Sequence, residues 1–191
     1  MQSRTGLCHE SYIGIGFDSG CMVLRRYGDK KPSLGADVFV DESAVLIGEV
    51  KLHDKASVWP GVVLRADDAS VEIGRGSAIM DTAFAEAPKG RPVVVGDHCI
   101  VSHSAVLHGC RIGDECLIGI GSIVLDGVSI GERSVLAAGS LVTPGTKIPP
   151  DSFVMGVPAR VTRATTQADL KWLRDELVIL EEKAVRYKAQ S

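Results

Sequence analysis

A six-residue aliphatic period runs through the chain from Val94 to Val154. Stepping by six meets Val94, Ile100, Val106, Ile112, Ile118, Val124, Ile130, Leu136, Val142, Ile148 and Val154, eleven positions that are all Val, Ile or Leu. With 45% of residues apolar, such a run in one of six phases is roughly a one-in-a-thousand coincidence. Neither the 3.6-residue helix nor two-residue strand alternation gives this spacing. It fits a β-solenoid with short flat faces, an aliphatic corner repeated inside and a small residue where the turn is tight. Small residues stand two places before most corners, at Ser104, Cys110, Cys116, Ser122, Ser134, Ser140, Thr146 and Ser152. Gly113, Gly119 and Gly131 follow a corner. Three such faces make a coil of about eighteen residues.

The period extends back to Leu34 through Val40, Leu46, Leu52, Val58 and Leu64. It slips by three residues to Ile73, Ile79 and Ala85, then by three again to Val94. The slips fall at Ala66-Asp-Asp-Ala and at Ala87-Pro-Lys-Gly-Arg-Pro. A loop inserted at a corner leaves the coils above and below intact, so these are the places where a site can be built. The corners predict six to seven coils, which at ~4.8 Å each make a rod of roughly 30 Å.

Residues 1–21 lack the period and form an N-terminal extension of unknown role, residues 22–160 a β-helix domain, and 161–191 a terminal helix. Thr166 with Asp169 has the form of a capping box. Leu170, Leu173, Leu177, Leu180, Ala184 and Tyr187 then recur at spacings of three and four, one face of a helix from Gln167 to Lys188 that packs along the prism. Net charge of −3 gives no attraction to nucleic acid or an anionic membrane. No apolar run approaches the length of a membrane span. The start lacks a basic segment followed by an apolar one, so no secretory signal is expected. The five cysteines show no CxxC, and Cys110 and Cys116 fall on the small inward column. A reducing cytoplasm is the expected compartment.

Stacking the coils brings chemistry-bearing residues together. Arg65 and Glu86 each follow a corner by one residue and His108 follows its corner by two, so the three form a column on one face. Asp81 and His103 form a second column on the preceding face. Asp67 joins this group at the first inserted loop. His53 and His98 stand apart and are expected to be solvated.

The segment His103-Ser-Ala-Val-Leu-His108-Gly-Cys110-Arg-Ile-Gly113, followed by Ile118-Gly-Ile-Gly-Ser-Ile-Val-Leu-Asp-Gly127, resembles the γ-class carbonic anhydrase family of left-handed parallel β-helices. The resemblance spans about residues 22–190. It implies a left-handed all-β solenoid with a C-terminal helix, a homotrimer, and a Zn²⁺ shared between subunits that hydrates CO₂ to bicarbonate through a metal-bound hydroxide. The second and third His ligands match His103 and His108, while Glu86 occupies the place of the first. The first and third ligands come from one subunit and the second from its neighbour. An Arg and an Asp near the site match Arg65 and Asp67, expected to orient the interface. A Gln-Asp pair matches Met80-Asp81, with Asp81 expected to hold a ligand or the water.

Two His and one Glu form an accepted catalytic zinc set with an open position for water. The same set also suits Fe²⁺. A carboxylate ligand makes the bound water less acidic than three neutral imidazoles do. Alternatively, Glu86 pairs with Arg65 and ligates nothing. Two other functions stay open from the sequence. One is a hexapeptide-repeat acyltransferase using a CoA thioester, with His103 or His108 as general base. The other is a non-catalytic assembly subunit.

Overall fold

In a strand buried on one side, alternate residues point inward. Here each short strand contributes one aliphatic side chain to a central column, and the chain turns before the alternation repeats. The computed structural model describes residues 23–190 and shows a parallel β-solenoid of about seven turns with one C-terminal helix. The N-terminal extension of the sequence expectation lies outside the described residues. Among those described, the strands form an eight-stranded sheet on one face and a twelve-stranded sheet wrapping the other two.

The eight-stranded face runs from Phe39–Val40 through Ser57–Val58, Ala78–Ile79, Ile100–Val101, Leu117–Ile118 and Val135–Leu136 to Ser152–Gly156. Its coil-to-coil pairings are parallel. The last strand folds back as an antiparallel hairpin onto Ala159–Ala164. A second face stacks Val63–Arg65, Phe84–Glu86, Val106–His108, Ile123–Val124 and Leu141–Val142. A third stacks Val71–Ile73, Val93–Val95, Arg111–Ile112, Ser129–Ile130 and Lys147–Ile148.

The inner column contains Leu46, Leu64, Ile79, Val101, Leu107, Ile118, Val124, Leu136 and Val154, all buried. The expected phase holds from Ile112 to Val154 but is one residue early at Val94, Ile100 and Val106. Val95, Val101 and Leu107 occupy the corners there, aligned with Ile112, Ile118 and Val124. The second slip is therefore four residues long, and the turn from Leu107 to Ile112 is one residue short. Both phases are aliphatic because outward residues on these faces are apolar too. Ile100, for example, is buried against the helix. The small column in this stretch is Cys99 and Ala105, both fully buried. Ser104 is exposed and sits at a corner with φ of +57°.

The helix spans Gln167–Lys188, as its periodicity predicts. Thr166 accepts from the Asp169 backbone, and the Asp169 side chain caps the Thr166 backbone in return. Leu173, Leu180 and Ala184 pack on Phe39, Trp59, Ala78, Met80 and Ile100, the outward residues of the eight-stranded face. Trp59 Nε1 donates to Ser57 Oγ at 3.1 Å, which satisfies the one polar atom of the buried indole.

Both inserted loops lie at the edge of the second face. The first sits within a continuous strand, Val63–Ile73. Lys30 holds it by donating to the carbonyls of Asp67 and Asp68, each at 2.7 Å. Ala69 N–H donates to the Ala87 carbonyl at 3.0 Å, joining the first loop to the second.

Candidate functional site

Leu64, Ala85 and Leu107 point inward on successive rungs of the second face, so the next residue of each strand points outward. Those residues are Arg65, Glu86 and His108, paired in register. The corrected corner places His108 one residue past Leu107, the same offset as Arg65 and Glu86.

Arg65 Nη2 forms an ion pair with Glu86 Oε1. Arg65 Nε is buried without a hydrogen-bond acceptor and lies 3.5 Å from Asp67 Oδ2. The other Glu86 oxygen, Oε2, is 3.8 Å from His108 Nε2. His108 Nδ1 is 2.9 Å from Asp126 Oδ1. Asp126 Oδ2 in turn lies 3.6 Å from Arg91 Nη1, on the second inserted loop. Asp126 and Arg91 were not singled out from the sequence. The signal was available, since Asp126 follows Val124 by two and its corner stacks on Leu107.

His103 sits elsewhere, on the corner between the eight-stranded face and the second face. Its Nδ1 is 3.1 Å from Asp81 Oδ2 on the preceding rung. The two columns predicted from the sequence therefore exist, and they are separate. The Glu86 and His108 side chains are 22% and 30% exposed, against 49% for His103, which projects outward. Met80 is buried beneath the helix with Trp59 and Ile100 and faces away from this site. His53 is not simply solvated, because its Nε2 lies 2.6 Å from Glu72 Oε1. That hydrogen bond, assisted by Lys51, holds the Glu72 carboxyl below the ordinary range. His98 is exposed, as expected.

His103 Nδ1 lies near the Asp81 carboxylate without a hydrogen bond, whereas His108 Nδ1 is hydrogen-bonded to Asp126, which turns its Nε2 toward Glu86. This is how metal-ligating histidines are held. The separation of Glu86 Oε2 from His108 Nε2 is close to the ~3.4 Å edge of a tetrahedral site with bonds of about 2.0–2.1 Å. Among the described residues, no group of three or more His, Cys, Asp or Glu within the chain could hold a metal ion. Glu86 and His108 thus fit a divalent metal as a pair that needs a further donor.

Val63, Phe84, Val106, Ile123 and Leu141 form an outward apolar stripe along the second face, each only half-buried. One coil beyond His103, Ile120 is 56% exposed. No described helix is long and apolar enough to cross a membrane.

Comparison with known proteins accords with this geometry. The family described as bacterial transferase hexapeptide (six repeats) matches residues 109–144. A Methanocaldococcus jannaschii protein named "Probable carbonic anhydrase" is 47% identical over 142 residues, 74% of this chain and 89% of that one. The chain belongs to the γ-class carbonic anhydrase-like family. "Gamma carbonic anhydrase 1, mitochondrial" of Arabidopsis thaliana is 36% identical over 151 residues, 76% of this chain and 55% of its own length. Among solved structures, a hexapeptide transferase family protein from Anaplasma phagocytophilum superposes with a TM-score of 0.83 at 32% identity. The match covers 87% of this chain and 98% of that one.

Proposed function

We propose that the chain assembles as a trimer in which Glu86 and His108 of one subunit and His103 of a neighbour hold a divalent metal, Zn²⁺ in the first instance, and that this site hydrates CO₂. The observation that carries the reading is the orientation of the imidazoles. His108 is held by the Asp126 carboxylate at Nδ1, His103 Nδ1 lies 3.1 Å from Asp81 Oδ2, and Glu86 Oε2 faces His108 Nε2 at 3.8 Å. The exposed corner bearing His103 and Ile120 and the apolar stripe beside Glu86 and His108 are the surfaces that would meet between two copies. When bound, Zn²⁺ supplies an acidic water as nucleophile for CO₂.

The rest of the work falls to the chain's own residues. Arg65 engages Glu86 Oε1 and leaves Oε2 free, so ion pairing and ligation by Glu86 are compatible. Its positive charge offsets part of the carboxylate's effect on the acidity of the water. Asp67 lies on the other side of the Arg65 guanidinium and restrains it. Asp81 orients His103.

The test measures metal content and CO₂ hydration together on untagged protein. The parent should contain metal at the site. Glu86→Ala should lose it, because two imidazoles from different chains are too few donors. Glu86→His should retain metal, and hydration at neutral pH should rise as the site loses a negative charge. Stopped-flow measurements from about pH 6.5 to 9 would show the midpoint of the pH–rate profile moving down. Full metallation of Glu86→Ala would remove Glu86 from the ligand set.

A second reading draws on the Anaplasma relative, which is named as a transferase. It is acyl transfer from a CoA thioester with His103 or His108 as base. Tight CoA binding by metal-free parent protein would favour it over hydration.

A further inference from the structure

The proposed function uses Asp126 only as the carboxylate beside His108 Nδ1 and leaves Arg91 without a role, yet both are built into the site. The turn after His108 is one residue shorter than the turn stacked on it, Leu125-Asp126-Gly127. Gly109 therefore lies over Asp126, with φ of +54°, and a Cβ there would come 2.5 Å from Asp126 Oδ1. The same Cβ would meet Arg91 Cβ at 3.0 Å and Pro88 Cγ at 3.3 Å, so the second inserted loop closes over this turn. Glycine at 109 leaves the space in which the Asp126 carboxylate reaches His108 Nδ1 at 2.9 Å. Arg91 braces the far oxygen of that carboxylate.

We propose that Asp126 is a positioning residue for His108. It keeps the imidazole in the Nδ1–H tautomer and aims the Nε2 lone pair at the space beside Glu86. An Nε2–H tautomer would set the Nδ1 lone pair against a carboxylate, which is repulsive. Asp126 thereby fixes the ring plane of His108. Arg91 anchors Asp126 and couples the second inserted loop to the site. The purpose of this arrangement, though not its geometry, rests on the metal reading above.

The experiment compares parent, Asp126→Ala and Asp126→Asn in two measurements. Zinc affinity, by competition with a chromophoric chelator, should fall about 10- to 100-fold in Asp126→Ala. It should fall less in Asp126→Asn, whose amide oxygen still accepts from Nδ1–H. On metal-free protein labelled with ¹⁵N-histidine, at about pH 8.5 where imidazole is neutral, His108 should carry its proton on Nδ1 in the parent. The proton should move toward Nε2 in Asp126→Ala. Unchanged zinc affinity in Asp126→Ala, or a parent His108 protonated on Nε2, overturns the assignment. A parent that binds no zinc but shows the Nδ1–H tautomer, lost in Asp126→Ala, overturns the metal reading and upholds Asp126 as the group that positions His108.

Discussion

The cysteines show how far a side chain's chemistry depends on its rung. Cys99, Cys110 and Cys116 are free thiols pointing into the prism. Burial pushes the Cys110 thiol up to about 12. A hydrogen bond with Cys116 and burial together raise Cys99 well above its ordinary value. The thiolate is the reactive form, so Cys99 and Cys110 are inert while the coil is closed, and Cys116 is shielded by its burial. Iodoacetamide at about pH 8, followed by peptide mass spectrometry, should leave all three unmodified in folded protein and label them in denaturant. Labelling of Cys110 in the native state would mean that the short turn at Gly109 opens. Cys110 and Cys116 were legible as inward residues. Cys99 was not, because the phase taken through Ile100 turned it outward.

That phase error belongs to the element. Val94-Val95, Ile100-Val101 and Val106-Leu107 are apolar pairs, and an aliphatic period cannot choose between the members of a pair. Cys99 could have chosen, since a small residue stands two places before Val101 whereas His98 stands two places before Ile100; Ser104 and Ala105 are both small and do not separate Val106 from Leu107. The helix was fully legible, because capping chemistry and a 3.6-residue period agreed on its limits. Its cap also carries a pH dependence. The Arg163 guanidinium, with Thr166, holds the Asp169 carboxyl well below the usual carboxylate range. Stability from a depressed carboxyl is present above the unfolded value of about 3.9 and is lost as pH falls toward the folded value. Asp169→Asn should lower stability by about 0.5–2 kcal/mol at neutral pH. In thermal melts the gap from the parent should hold down to about pH 5 and shrink steadily below about pH 4. A gap that stays constant to about pH 2 would show that Asp169 acts by shape rather than charge.

For the whole molecule, the site columns were legible because parallel coils stack equivalent residues, although the count set His108 one residue too far past its corner and the register on Leu107 restores its alignment with Arg65 and Glu86. Asp126 was missed although it stands one coil after His108 at the same counted offset from its corner, because it lies beyond the two inserted loops that drew attention to the other residues. The proposed shared site requires an assembly, and the proposed trimer would hold three chains of 20.2 kDa. Sedimentation at micromolar concentration should show about 60 kDa for the parent. Val106→Glu, on the stripe but outside the inner column, should shift this toward a single chain while the far-ultraviolet spectrum is kept. A parent sedimenting only as one chain would exclude the shared site. The hairpin at the other end of the prism has a separate consequence. A parallel solenoid ends in a row of unpaired amides that could receive another chain's strand and propagate. Here the chain reverses on itself, and the new outer strand, Ala159–Ala164, carries Arg160 and Arg163. A strand of opposite direction and positive charge is a poor template for another parallel coil. Of the three faces, this one is thereby closed by the chain itself against a parallel strand from another molecule.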